Sequence, residues 1–198
     1  MHRWQFPLVA AALLCVATAH AEPAADPSAF INDLGTQAIR ILQTQHDAAQ
    51  RKAAFSKIFN DDFDAPAIGR FVLGRYWRTA SPDQQKQYVD VFGKYIVTLY
   101  ANRFSAYAGE QFKVVGARPN DAATATVSSQ IIQPNGGPPI AIGWQVAKEG
   151  TTYKITDVTV DNLSLAITKR DEFASVIEQN GGNVQALIDQ LKQKINQS

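Results

Sequence analysis

The sequence predicts an α+β fold, a curved four-stranded antiparallel meander packed against helices, and three observations carry that expectation. Apolar residues recur at helical spacing as far as about residue 107, at a period of two from 112 to 155, and at helical spacing again from about residue 168. Short clusters of Pro, Asn, Asp and Gly punctuate the middle stretch at the intervals expected of hairpins. No internal repeat or long polar linker divides the chain. One domain over residues 22–198 is therefore expected, mainly helical over 22–108, sheet over 109–163 and helical over 164–198.

The N-terminus reads as a leader. His2 and Arg3 precede an apolar run over residues 8–17, and Ala19-His20-Ala21 has the small-x-small form at which signal peptidase cuts. The run is about ten residues, against the roughly 20 a helix needs to cross a bilayer. A signal peptide over 1–21, cleaved after Ala21, is expected, with export out of the cytoplasm. Leu14 before Cys15 disfavours lipoprotein processing at that cysteine.

Asp26 can cap a first helix with Pro27 in its opening turn, and Phe30, Leu34, Ala38, Ile41 and Leu42 share one side. A short second helix carries Phe55, Ile58 and Phe59. Asp64 caps a third, with Ile68, Phe71 and Val72 on one side and Gly74 as its stop. Ser81-Pro82-Asp83-Gln84 is a capping box with Pro in the first turn, so a long helix should run from there to about Tyr107. Its apolar positions Tyr88, Phe92, Tyr95, Ile96, Leu99, Tyr100 and Phe104 exceed one narrow stripe, which makes it the central helix, touched on two sides.

After Gly109 four strands are expected: Phe112 and Val114; Ala125, Val127, Ser129 and Ile131; Ile140, Ile142, Trp144 and Val146; Tyr153 and Ile155. The connections are short, so sequential antiparallel pairing is the simplest topology. Apolar parity slips between Ile155 and Val158, as a bulge near Thr156-Asp157 would make it do, and a bulge bends the sheet toward a concave face. Thr168 with Asp171 opens the next helix, Asn180-Gly181 closes it, and Asn183 caps a last helix carrying Leu187, Leu191 and Ile195.

Composition narrows the function. The chain has 19 basic and 18 acidic residues, one Cys and three His. Loss of the leader removes Arg3, Cys15, His2 and His20, leaving a neutral chain with no overall electrostatic attraction to nucleic acid or a strongly anionic membrane. His46 alone cannot supply a nucleophilic triad or a His/Cys metal site. Neither catalysis by a Ser-His-Asp or Cys-His arrangement nor a zinc or copper site built from His and Cys is therefore expected. Asp61, Asp62 and Asp64 could hold a hard cation, yet acids before a helix more often cap it. The Gly136-Gly137 and Gly181-Gly182 pairs read as turns. Arg70, Arg75 and Arg78, interleaved with Phe71, Tyr76 and Trp77, read as structural ion pairs or the rim of an apolar cavity.

The stretch Ile68-Gly69-Arg70-Phe71-Val72-Leu73-Gly74-Arg75-Tyr76-Trp77-Arg78, followed by Ala80-Ser81 and Gln84, resembles the signature of the periplasmic MlaC family, also called the toluene-tolerance or ABC-transporter auxiliary family. Tyr107-Ala108-Gly109-Glu110, residues 158–164, Lys169-Arg170-Asp171-Glu172-Phe173-Ala174 and Asn180-Gly181-Gly182 continue the likeness in order. The resemblance implies a domain similar to the nuclear-transport-factor-2 cone with added helices, holding the acyl chains of a phospholipid between sheet and helices. It also implies shuttling between an outer-membrane lipoprotein complex and an inner-membrane ABC transporter with a lipid-binding ring. Cargo rather than a cofactor would fill the site. On that basis the expected pocket lining is Phe71, Val72, Trp77, Phe92, Ile96, Tyr100, Val127, Ile131, Trp144, Val146 and Val160. A hopanoid-associated carrier of the same family is the alternative. A further one is an enzyme on the same fold, using Asp157 or Asp64 as a base in an apolar pocket.

Overall fold

The computed structural model describes residues 26–104, 107 and 109–197; the expected leader over 1–21 lies outside them. Among the described residues, six α-helices and one open five-stranded antiparallel sheet make an α+β architecture. Helix α1 spans Pro27–Thr44, α2 Ala48–Asp62, α3 Ala65–Leu73 and α4 Pro82–Arg103, with a 3-10 turn at Gly74–Arg78 between the last two. Strands β1 Gln111–Pro119, β2 Thr124–Ile132, β3 Ile140–Glu149, β4 Thr152–Val160 and β5 Leu163–Ser164 follow, then α5 Leu165–Gln179 and α6 Val184–Asn196.

Local chemistry sets most helix starts. The carboxylates of Asp26, Asp47 and Asp64 accept from the backbone N–H groups of Ser28, Gln50 and Ala67 at 2.9, 2.8 and 3.1 Å. Each satisfies a donor that the first helical turn leaves orphaned. At α4 the capping box is complete: Gln84 N donates to Ser81 Oγ at 3.2 Å and Ser81 N to Gln84 Oε1 at 3.0 Å. The helix ends at Arg103, short of residue 107. After α5, Gly181 and Gly182 take φ of 66° and 83°, and Gly182 N closes onto Ile177 O at 2.9 Å.

The strands lie in sequence order, and the bulge foreseen in β4 is present: Gln145 pairs with Asp157 and Val146 with Ile155, so Thr156 is the extra residue. A second bulge sits on the edge strand β1, where Val115 is left unpaired between Val114 and Gly116 and stands 59% exposed. The expectation of four strands is corrected to five. Asp161 and Asn162 adopt φ of 48° and 67°, which reverses the chain tightly enough for Leu163 to pair back on Val160. That reversal also corrects the start of α5. Ser164 becomes the cap, accepting from Ile167 N at 3.0 Å, and Thr168 lies inside the helix, its hydroxyl donating to Ser164 O at 2.8 Å.

Helix α4 occupies the centre of the helical layer against α2, α3 and α6. Tyr88 and Phe92 stack with centroids 5.7 Å apart, and Phe173 of α5 meets both edge-on at 6.4 and 6.3 Å. Gly69 lets α3 approach these rings, since a Cβ there would stand 3.2 Å from Phe92. Helix α1 lies over β1 and β2, while α3 and α5 border β4. The joint between α2 and α3 docks directly on the sheet, Asp64 N donating to Ile155 O at 2.9 Å.

Candidate functional site

Strand register assigns one apolar face to the helices. Pairs Ala125–Val146, Val127–Trp144, Ser129–Ile142 and Ile131–Ile140 join β2 to β3, and β4 adds Ile155, Val158 and Val160 opposite Val146, Trp144 and Ile142. Phe112 and Val114 of β1 stand opposite Ile131 and Ser129. The side-chain period of two therefore collects these residues on one face.

Burial along that face is graded. Ala125, Val127, Val146 and Ile155 are sealed beneath the helices. In the middle, Trp144 is half-buried, donates its indole N–H to Ser129 Oγ at 2.9 Å and meets Phe112 edge-on at 6.2 Å. Towards the β2–β3 turn, Ile131, Ile140, Ile142 and Val160 are half-buried and stand outside the packed core. The apolar face is longer than its helical cover.

The expected lining residues fall into three groups. Val127, Ile131, Trp144, Val146 and Val160 share the sheet's inner face. Val72 and Phe92 are buried in the helical core, with Ile96 and Trp77 packed at its margin and Tyr100 half-buried near the end of α4. Burial of the Tyr100 phenol pushes its pKa up, opposed by the charges of Arg103 and Lys169. Phe71 is 45% exposed. It lines an open depression of about 330 Å³ with Asn120, Thr124, Gln145, Val146, Thr156, Asp157, Ala166 and Ile167. Ile140, Ile142 and Phe112 share the inner face but were not among the expected lining. The alternation of β1 and β3 carried the signal, through parity with Trp144.

The acids weighed for other chemistry are engaged structurally. Asp157 accepts from Ser164 Oγ at 2.6 Å, Val158 N at 2.8 Å and Ala166 N at 3.1 Å, tying the β4 bulge to the start of α5. Asp64 caps α3, and Asp61 pairs with Lys57. Burial, followed by the neighbouring Asp61 charge, raises the Asp62 pKa against the opposing pull of Lys154 and Lys57. Among the described residues no three His, Cys, Asp or Glu side chains converge as a metal site, and no helix is long and apolar enough to cross a membrane.

Comparison with known proteins follows the same lines. A family model described as MlaC protein matches residues 32–193. A toluene tolerance protein, ttg2D of Pseudomonas putida, is 24% identical over 137 residues, 69% of this chain and 63% of that protein. The intermembrane phospholipid transport system binding protein MlaC of Haemophilus influenzae is 23% identical over 132 residues, 65% of this chain and 61% of that one. The matches thus span a little over three fifths of these relatives. A phospholipid-binding protein from Ralstonia solanacearum, solved with a phospholipid bound, superposes with a TM-score of 0.74 at 23% identity, over 87% of this chain and 98% of that one. At that identity the likeness is one of fold.

Proposed function

The chain belongs to the MlaC family, and from that membership we propose that it is a periplasmic phospholipid carrier whose residues 22–198 form one lipid-binding domain. The observation that carries the reading is the mismatch between the inner sheet face and its cover, which leaves Ile131, Ile140, Ile142 and Val160 half-buried and outside the packed core. Acyl chains would lie on that strip, bordered by Phe112 and Trp144, with the bent sheet and the helices forming the two walls of a cone-like pocket. Val127 and Val146 continue the strip beneath the helices, where chains could advance only by separating helix from sheet.

The physical need is large. About 30 acyl methylenes at roughly 0.8 kcal/mol each represent on the order of 24 kcal/mol of exposure to water. A carrier must replace most of that apolar contact yet release its cargo, and a strip only half closed by protein suits both demands. The head group can stay in water, which avoids its desolvation and keeps head-group selectivity low. Docking to an outer-membrane lipoprotein complex and to an inner-membrane ABC transporter with a lipid-binding ring completes the proposal, supported by the family and by the relative described as part of an intermembrane phospholipid transport system.

Native mass spectrometry of the protein purified from its periplasm, with extraction and identification of the lipid, tests the reading. Stoichiometric phospholipid is expected. A lipid-free protein, or one loaded only with a different lipid class, overturns it.

A further inference from the structure

Neutrality of the chain as a whole conceals a local charge imbalance. Residues 65–80 contain three arginines and no acid. Arg75 is paired, donating to Glu178 Oε1 at 2.5 Å while stacking on Tyr76. Arg70 and Arg78 are exposed, and α5 adds the exposed Arg170. Among the described residues none of these three makes a salt bridge, although Asp171 beside Arg170 offsets one charge.

Two of these guanidinium groups are held in place. Arg170 lies over the Phe71 ring at 5.1 Å and so close to Gly74 that a Cβ there would meet its Nε at 2.9 Å; Arg70 lies over Trp77 at 5.7 Å. Phe71 and Ile167, 45% and 53% exposed, both line the open depression that also reaches Val146. Three acids of β4 and α5 are engaged with other partners: Asp157 in its three hydrogen bonds, Glu172 with Lys169, Glu178 with Arg75. An exposed aromatic and aliphatic pair beside positioned, unpaired cations is the chemistry of a surface that rests in a bilayer's headgroup region.

We propose that the exposed Phe71–Ile167 pair, with Arg70 and Arg170, forms a contact surface for an anionic phospholipid bilayer. This goes beyond the carrier reading, because holding lipid does not require touching a membrane. Charge complementarity selects the bilayer: the cations meet lipid phosphates while the two apolar side chains enter the interface, and the contact should weaken with salt. The two apolar anchors are small, so attachment is transient.

The test is flotation of the purified protein with vesicles of phosphatidylcholine alone or of phosphatidylcholine with phosphatidylglycerol, at low and high salt. The protein is expected to float with the anionic vesicles at low salt and to stay behind with the neutral ones. Ile167→Ser combined with Arg170→Gln should lower flotation on the order of tenfold. Native mass spectrometry of the same variant should show bound lipid as in the parent. Failure of the parent to float, or equal flotation of parent and variant, overturns the proposal. So does binding of an acidic protein through these residues without vesicle binding. Loss of the carrier reading is a separate outcome, seen as absence of lipid in the parent.

Discussion

The Phe112 ring of β1 sits so close to Gly35 of α1 that a methyl group built on the glycine would stand 2.2 Å from the ring. This contact sets how closely the first helix lies on the sheet. Gly35→Ala gains helix propensity of about 1 kcal/mol, but the overlap forces the ring or the helix to shift, at a cost of about 1–3 kcal/mol. Net destabilisation is expected, with Phe112→Leu in the Gly35→Ala background recovering part of it. Denaturant midpoints of the two single variants and the double variant check this as a coupling energy.

Tyr88 is completely buried between Phe92 and Phe173, and its hydroxyl has no hydrogen-bond partner among the described residues. Burial drives its pKa well up, so the phenol remains neutral. Tyr88→Phe removes an unsatisfied polar atom without changing the ring, and a gain of about 1 kcal/mol is expected. A lower thermal midpoint than the parent's would mean that the hydroxyl has a partner.

Ile142 lies on the half-closed strip of the inner face. Ile142→Asp should cost about 1–3 kcal/mol of stability, because it sets a carboxylate on a half-buried position of a central strand. It should reduce lipid occupancy sharply: lost apolar contact of about 1.5–3 kcal/mol corresponds to roughly a ten- to hundredfold weaker complex. Val127→Trp, by contrast, overpacks a fully buried position and should destabilise the fold itself. Lipid extracted per mole of folded protein separates the two effects.

The raised pKa of Asp62 gives a pH signature of known sign. Burial and Asp61 disfavour its ionised form in the folded state. The native protein therefore holds this proton to higher pH than the unfolded chain. Stability falls as pH rises through the window between the two pKa values, and the penalty is complete above the folded one. Asp62→Asn should raise the urea midpoint at neutral pH, and the advantage should vanish below the usual carboxylate range. An equal advantage at both ends would assign the effect to packing.

What the sequence made legible was mainly short-range. Asp26, Asp64, Ser81 with Gln84, and Asn183 each place a side-chain acceptor a few residues from the donors it satisfies, so the caps can be read without knowing the fold. The β4 bulge was equally readable, because a strand cannot change parity between Ile155 and Val158 without an extra residue. The short strand β5 was not, since it depends on two consecutive non-glycine residues, Asp161 and Asn162, entering the left-handed region. Nor could the wide apolar face of α4 reveal its neighbours: Phe92 lies against Tyr88 and Phe173 in the helical core, whereas Val127 and Trp144 belong to the sheet. Side-chain pattern tells that a face is covered, and long-range packing decides by what.

The unpaired Val115 on β1 bears on how the protein behaves in a crowded compartment. An open sheet offers its outermost strand as a template on which another chain can add. Here the extra residue breaks the ladder, Lys113 and Arg118 charge the strand on either side, and Pro119 removes a donor at its end. A second molecule approaching in an extended conformation finds no long flat run of free donors and acceptors, so the sheet can remain open at β1 without seeding polymerisation.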